Sequence, residues 1–421
     1  MRFESLPEWL HWQERLHFTE VDPGLDRIGH VWHALEGSSK LPFTVITVAG
    51  TNGKGSSVAM LESILRTAGY KTGTYTSPHI LRYNERICID GQACNDDEII
   101  RAFDKIDHAR QSTSLTYFEF STLAAVELFC EKKIDIAILE VGMGGRLDAV
   151  NVFDTDIALI TPISLDHINW LGDNREKIGR EKAGIIRAEK PVVCAETTPP
   201  ESVLHYAETL ASPLYQAEQE FNVIRQKESW QWSNTTHSWH DLPAPALEGH
   251  YQFQNAAAVL QVISLLIQQG YSVSEQQIKT GLTSVQLAGR FQRILGEIEL
   301  ILDVTHNEQG AKNLAQLLQE IPTAGQTLAV VAMLKDKDVA MVATILNSSI
   351  DSWFAAGLDG SRGMTADQLS EQLCLAIDNT KIQQSDTVET AYKQALSYAN
   401  KGDRILVFGS FHTVEAVLRL N

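Results

Sequence analysis

The chain has 421 residues, 44 % apolar and 21 % charged, which is too long for one ordinary domain and suits two or three soluble globular ones. Its net charge of −18, with no basic run, excludes a general binder of nucleic acid or anionic membrane, since that binding needs clustered Lys and Arg. The five cysteines, Cys88, Cys94, Cys130, Cys194 and Cys374, show neither a C-x-x-C pair nor a zinc spacing, and read as ordinary thiols of a reducing compartment.

The first segment, "MRFESLPEWLHWQERLHF", carries Glu4, Glu8 and Glu14 among its apolar residues. That is the pattern of an amphipathic helix and not of a secretory signal, and no later apolar run reaches membrane-spanning length. A cytoplasmic protein without membrane or nucleic-acid partners is expected.

From Phe43 onward, short β-branched runs alternate with loops and helical periods, the signature of parallel strands with crossover helices. "FTVITVA" (43–49) reads as the first strand. "SSVAMLESILRTAG" (56–69) reads as a helix with Val58, Leu61, Leu65 and Ala68 on one face and Gly69 as its stop. "IDIAILEVG" (134–142) and "TDIALITPI" (155–163) read as buried strands followed by polar residues: Glu140 at the first, Asp166 and His167 after the second. In open α/β sheets ligands bind beyond the carboxyl ends of the strands, so these termini are where a site is expected.

The segment from about 196 to 245 is rich in Gln, Ser and Trp and reads as irregular or short antiparallel structure, and "YQFQNAAAVLQVISLLIQQG" (251–270) as a strong helix. A second α/β series starts near Glu297, runs through "TLAVVAML" (327–334) and ends with "DRILVFGSFHTVEAVLRL" (403–420). The join falls in "QLAGRFQRILG" (286–296), and no internal repeat or low-complexity tract is present.

Between the first strand and its helix lies "GTNGKGS" (50–56). Small residues let backbone N–H groups approach a phosphate, the helix N-terminus adds positive potential, and Lys54 supplies a charge. The spelling departs from G-x-x-x-x-G-K-[ST], with Val48 and Gly55 where a glycine and a hydroxyl residue would stand. Taken alone, His167 is an awkward magnesium ligand, because Mg²⁺ prefers oxygen, and Lys182 in "NREKIGREK" is an ordinary charged-helix lysine.

Together with "TSPHILRYNERI" (76–87), "LTYFEFSTLAA" (115–125), "LEVGMGGRLDAVN" (139–151), "SLDHINWLGDNREKIGREKAGI" (164–185), "GRFQ" (289–292) and "DVTHNE" (303–308), the loop strongly resembles the bacterial folylpolyglutamate synthase/dihydrofolate synthase family of the Mur ligase superfamily. The resemblance runs from about Asp22 to His412 with the motifs in order. It implies an α/β chain: an N-terminal P-loop ATPase domain of the Mur ligase central type with a mostly parallel sheet (1–288), a linker (289–296), and a smaller C-terminal Rossmann-like glutamate-ligase domain (297–421).

The resemblance also implies site residues. Thr51, Asn52, Gly53, Lys54, Gly55 and Ser56 would cradle the ATP phosphates, with Ser56 a hydroxyl contact to a metal. Asn255, Arg290, Asp303 and His306 would supply the remaining ATP contacts. Ser77, Glu140 and His167 match magnesium positions, and Lys182 a lysine that the family carbamylates; Lys54, Lys182 and His167 are the catalytic set. Val21, Asp22, Pro23, Gly24, Thr116, Tyr117, Phe118, Glu119 and Asp148 would contact the pterin, Phe118 by stacking and Asp22 by accepting from the amino-pyrimidine edge. Pro23 stands where close relatives would carry an aliphatic residue.

The implied reaction is phosphorylation of a substrate carboxylate by ATP and attack of L-glutamate on the acyl phosphate, with Mg²⁺ as cofactor and dihydropteroate, reduced folates, L-glutamate and ATP as the small-molecule substrates of a monomer. Three alternatives stay open: a monofunctional folylpolyglutamate synthase, another Mur-type amino-acid ligase, and a non-enzymatic nucleotide switch. The second would carry an additional N-terminal UDP-binding domain, for which about 50 residues before the loop leave no room.

Overall fold

The computed structural model describes residues 1–421 apart from Glu36, Ser39 and Glu228. Eight strands form the first sheet: β1 (Thr44–Ala49), β2 (Thr72–Tyr75), β3 (Ile87–Ile89), β4 (Gln92–Ala93), β5 (Ile136–Glu140), β6 (Ile157–Ile160), β7 (Val192–Cys194) and β8 (Leu214–Gln216), in the order β4-β3-β2-β5-β1-β6-β7-β8. All neighbours from β2 to β8 are parallel, and β3 and β4 add an antiparallel edge.

Alternation along β1 explains why this sheet is covered on both sides. Ile46 and Val48 join Ile136, Ile138, Ile157 and Leu159 against the helices Lys54–Thr67, His250–Gln268 and Glu275–Ser284. Val45 joins Tyr75, Ala137 and Leu139 against helices Leu6–Gln13, Asp26–Ala34, Asp96–Arg110 and Tyr117–Lys132. The helix after β1 therefore buries Val58, Leu61 and Leu65 but also Met60 and Ile64, because a sheet packs on one side of it and two helices on the other. It begins at Lys54, two residues earlier than the apolar period indicates, so Gly55 and Ser56 lie in its first turn and do not lengthen the loop.

The Trp-rich stretch is only partly irregular. It holds a helix, Glu201–Thr209, and an antiparallel sheet of β9 (Phe221–Arg225), β10 (Trp230–Asn234) and β11 (Ser238–Leu242). Trp230 and Trp232 are fully buried on one face of β10, which is the period-two signal that the surrounding Gln and Ser obscure.

The third sheet comprises β12 (Gln292–Ile294), β13 (Glu299–Leu302), β14 (Thr327–Val331), β15 (Ser352–Ala356), β16 (Ile382–Ser385) and β17 (Arg404–Phe408), in the order β12-β13-β17-β14-β15-β16. β12 is antiparallel to β13 and the rest are parallel. The expected linker 289–296 thus contributes an edge strand: Gln292, Arg293 and Ile294 pair with Leu302, Ile301 and Leu300. No helix among the described residues is long and apolar enough to cross a membrane.

Trp232 stacks on Trp239 at 4.6 Å and its indole N–H donates to the Ala257 carbonyl, tying the three-stranded sheet to the 250–268 helix. Trp232→Ala is expected to lower the unfolding free energy by about 3–5 kcal/mol in urea titration, through the cavity that the indole leaves. A loss below about 1 kcal/mol would show the sheet to be an appendage.

Candidate active site

β1 lies where the strand order reverses, flanked by β5 and β6, so the loops after all three open on one crevice. A cavity of about 220 Å³ fills that crevice. Its walls include Thr51, Asn52, Gly53, Lys54, Gly55 and Ser56 after β1, and Glu140 at the end of β5 with Ser77 beside it. His167 follows β6, and Lys182 comes from helix Arg175–Ala183. Asn255, Arg290, Asp303 and His306 close it from the 250–268 helix and the third sheet. A larger, more open cleft of about 870 Å³ lies around Phe43, Asp156 and Tyr271, at the amino ends of β1 and β6, away from these groups.

The β1 loop divides into two parts. Thr51 and Asn52 both donate their N–H to the Pro162 carbonyl, at 2.9 and 3.3 Å, and the Thr51 hydroxyl is locked to Ser164. Their N–H groups are taken, contrary to the expectation for a phosphate cradle. The groups that remain are those of the helix start: Gly53 is its N-cap at φ +89, no side chain caps it, and Lys54, Gly55 and Ser56 form the uncapped first turn. A Cβ on Gly53 would lie 2.5 Å from the Asn255 Oδ1, so that buried Asn fixes the glycine from the other side. The Ser56 hydroxyl accepts from Gln252 Nε2 at 3.3 Å.

Two lysines converge on one atom. Lys182 Nζ donates to the Gly50 carbonyl at 2.8 Å and Lys54 Nζ to the same oxygen at 3.1 Å. Burial, reinforced by the nearby Lys54 charge, lowers the Lys182 amine to about 7. Glu140 is buried with a single backbone donor, Ser77 N–H at 3.4 Å; burial raises its carboxyl although Lys54 and Arg290 oppose the shift. His167, in a left-handed conformation at φ +51, is pushed down to about 4 by burial, which its Asp166 neighbour only partly offsets. A neutral imidazole and a buried carboxylate needing a cation make a donor pair suited to a metal ion. Among the described residues no three His, Cys, Asp or Glu side chains cluster as a ready-made metal cage.

Asp303 lines the cavity, but its two oxygens hold the N–H groups of Phe291 and Thr305, both at 2.8 Å. His306 uses both ring nitrogens, one on the Val304 carbonyl and one on Asp166. Sequence reasoning assigned no role to Asp166, and passed over Asn307 and Lys337. Asp166 receives Lys337 Nζ at 2.6 Å, His306 Nε2 at 3.2 Å and Asn307 Nδ2 at 3.2 Å, while Asn52 and Asn307 exchange side-chain amide bonds. Burial opposes ionisation of Asp166, but His306, Lys337 and His167 outweigh it and hold the carboxyl well below its usual range. Adjacency to His167 in "LDH" was the available signal for Asp166; nothing local marks Lys337.

The expected pterin contacts form a second group. Phe118 lies over Gly142, whose Cβ would meet the ring at 2.7 Å, and Gly142 lines the cavity, so the two groups adjoin. Arg27 links Asp22 (2.6 Å) to Glu119 (3.2 Å), and His17 also holds Asp22 Oδ2. Thr116 and Glu119 form the capping box of the 117–132 helix, Val21 and Gly24 are half-buried, Tyr117 is half-buried and Pro23 is exposed. The Asp22 carboxylate is thus engaged through Oδ2. Asp148 accepts from Met143 and Val150 N–H at 2.9 and 3.0 Å and so holds the 143–150 loop.

An uncapped helix start with a lysine, a metal-suited carboxylate and imidazole at adjacent strand ends, and a second α/β sheet closing over them define a nucleotide-dependent amide ligase of the Mur type. Residues 48–263 match the Mur ligase middle domain and residues 289–411 the Mur ligase glutamate ligase domain. The dihydrofolate synthase/folylpolyglutamate synthase of Escherichia coli (strain K12) is 42 % identical over 99 % of this chain and 95 % of its own. A solved structure of E. coli FolC in complex with DHPP and ADP superposes with a TM-score of 0.92 at 41 % identity, covering 99 % of this chain and 97 % of the other. A bifunctional folylpolyglutamate synthase/dihydrofolate synthase structure with Mn, AMPPNP and L-glutamate bound gives a TM-score of 0.90 at 41 % identity, covering 99 % and 98 %. The chain belongs to the bifunctional dihydrofolate synthase/folylpolyglutamate synthase family.

Asp166→Ala removes the 2.6 Å partner of the Lys337 ammonium, whose side chain is 6 % exposed, and leaves it the Asp336 carboxylate at 3.3 Å; the expected cost is about 1.5–3 kcal/mol of stability. Adding Lys337→Met should restore part of that loss in a double-mutant cycle, and strict additivity would show that the two charges do not act as a pair.

Proposed function

We propose that the chain is an ATP-dependent ligase that adds L-glutamate to dihydropteroate, giving dihydrofolate, and to reduced folates, giving folylpolyglutamates, by way of an acyl phosphate. The carrying observation is that Lys54, Glu140, His167 and Lys182 of one half share a single cavity with Arg290 and His306 of the other. DHPP and ADP in the E. coli relative, and Mn, AMPPNP and L-glutamate in a second relative, are the ligands such a cavity calls for.

In this scheme the N–H groups at Lys54–Ser56 and the Lys54 ammonium hold the ATP phosphates, and Arg290 approaches from the third sheet. Ser77, Glu140 and His167 would hold Mg²⁺, which when bound spreads the negative charge of the transferring phosphoryl group. Phe118 would stack on the pterin, beside the Asp22–Arg27–Glu119 chain. A carboxylate is a poor electrophile, so the site must bring it to the γ-phosphate, then hold the acyl phosphate away from water until the glutamate amine arrives. Asp166, anchoring Lys337, His306 and Asn307, keeps the two halves closed for that interval. Every group required comes from one copy of the chain, consistent with a monomer.

Carbamylation of Lys182 belongs to the same proposal. Two lysines on one carbonyl repel each other, and conversion of one amine to a carbamate turns that repulsion into attraction. CO₂ reacts only with the neutral amine. With the amine at about 7, carbamylation is expected to rise as pH increases through that value and to be lost below it, read as a ¹³C-carbamate NMR signal from labelled bicarbonate. Lys182→Ala should lose most activity and regain part of it with added short carboxylic acids; a fully active variant would remove the lysine from the mechanism.

The direct test is mass analysis of products from ATP, L-glutamate and either dihydropteroate or tetrahydrofolate. Both are expected to be glutamylated; no product from dihydropteroate would restrict the activity to polyglutamylation. Lys54→Ala should abolish turnover, by about a thousandfold or more, without changing the melting temperature. Near-normal turnover in that variant would overturn the assignment of the phosphate loop.

A further inference from the structure

Arg86 is the charge that the scheme above leaves unused. It is 9 % exposed, yet among the described residues no carboxylate lies within 4 Å of it. Its one side-chain hydrogen bond runs from Nε to His79 Nδ1 at 2.8 Å, so that ring nitrogen is the acceptor and the imidazole is neutral. The guanidinium carbon lies 5.7 Å from the Tyr83 ring and 5.5 Å from the Tyr117 ring. A buried guanidinium is ordinarily paired, because its desolvation needs an opposite charge or a full set of acceptors. Here the rings and the imidazole orient the group while both terminal nitrogens keep their donors. That is a fork prepared for a planar anion.

The position identifies the anion. The Arg86 carbonyl accepts from the Thr76 N–H, one residue before Ser77, so the side chain starts at the rim where Ser77 meets Glu140. Tyr117, against the guanidinium, adjoins Phe118, which lies over Gly142 at the cavity wall. Arg86 thus stands between the phosphate-binding helix start and the aromatic that would stack on the pterin. A nucleotide held at Lys54 places its phosphates at the first; a pterin stacked at the second directs its carboxylate tail towards those phosphates, past Arg86.

We propose that Arg86 seats a carboxylate of the pterin-bearing substrate, an assignment that rests on the ligase function proposed above. The carboxylate is either the reacting one, present in dihydropteroate and folates alike, or the α-carboxylate that only glutamylated substrates carry. The test is equilibrium binding, in the presence of ADP, of dihydropteroate, its carboxamide and tetrahydrofolate to the full chain and to R86Q and R86K, with melting curves alongside.

R86Q is expected to weaken acid binding about tenfold to a hundredfold while leaving the carboxamide unchanged. Loss on both acids assigns the reacting carboxylate, and loss confined to tetrahydrofolate assigns the α-carboxylate. R86K, which keeps the charge without the fork, should lie between; if R86Q fails to fold, a severalfold loss of acid over amide in R86K decides in its place. A folded R86Q, or in its place R86K, that binds both acids like the wild type overturns the assignment alone. A wild-type chain that binds neither acid overturns the ligase function and this assignment with it.

Discussion

Asp166 is the group on which the closed arrangement depends. A carboxylate with about a tenth of its side chain exposed is costly to keep ionised unless hydrogen bonds and opposite charge replace its water. All three side chains that do so, Lys337, His306 and Asn307, come from the far side of the crevice, and Asn307 also exchanges amide bonds with Asn52 of the β1 loop. Neither half can satisfy its own polar groups here. The cavity is thus a consequence of two incomplete surfaces completing each other, and the nucleotide loop is tied into that closure through Asn52.

The same logic explains how a chain of net charge −18 presents a site for anions. Among the described residues, Lys54, Lys182, Arg290 and Arg86 have no carboxylate within 4 Å, although most other lysines and arginines of the interior and surface are paired. They lean instead on neutral partners: the Gly50 carbonyl, the Phe411 ring and the His79 imidazole. Cations held this way stay available, and low surrounding dielectric strengthens their hold on a bound anion far above what the surface charge opposes.

What the sequence made legible follows its periodicity. β1, β5 and β6, and the central β13, β14 and β17, are continuous apolar runs buried on both faces and stand out without help. β16 (IQQS) is a polar edge strand and shows no pattern above its neighbours. Helix Glu201–Thr209 and β10 were hidden by composition, since Gln and Ser around Trp230 and Trp232 outweigh the alternation. In the site, residues at strand ends were findable because topology predicts them, whereas Asp166, Asn307 and Lys337 owe their roles to a contact between segments about 140 to 170 positions apart, as the loop separations of their bonds show.

Motif matching also misplaces the chemistry within a motif. The string 50–56 suggests six equivalent contributors, but hydrogen-bond accounting separates them. Thr51 and Asn52 are anchors, their N–H groups fixed on Pro162; Gly53 is also a conformational requirement set by φ and by Asn255; from Gly53 onward backbone donors are left for a ligand. Asp148 and Asp303 are acidic residues inside recognisable motifs whose oxygens each hold a loop N–H. Arg86 is the converse, a guanidinium whose terminal nitrogens have no hydrogen-bond partner among the described residues, in a motif where Ser77 alone was given a role. Where every buried donor and acceptor is followed to its partner, the groups left over, and not the motif letters, mark where a ligand is to be expected.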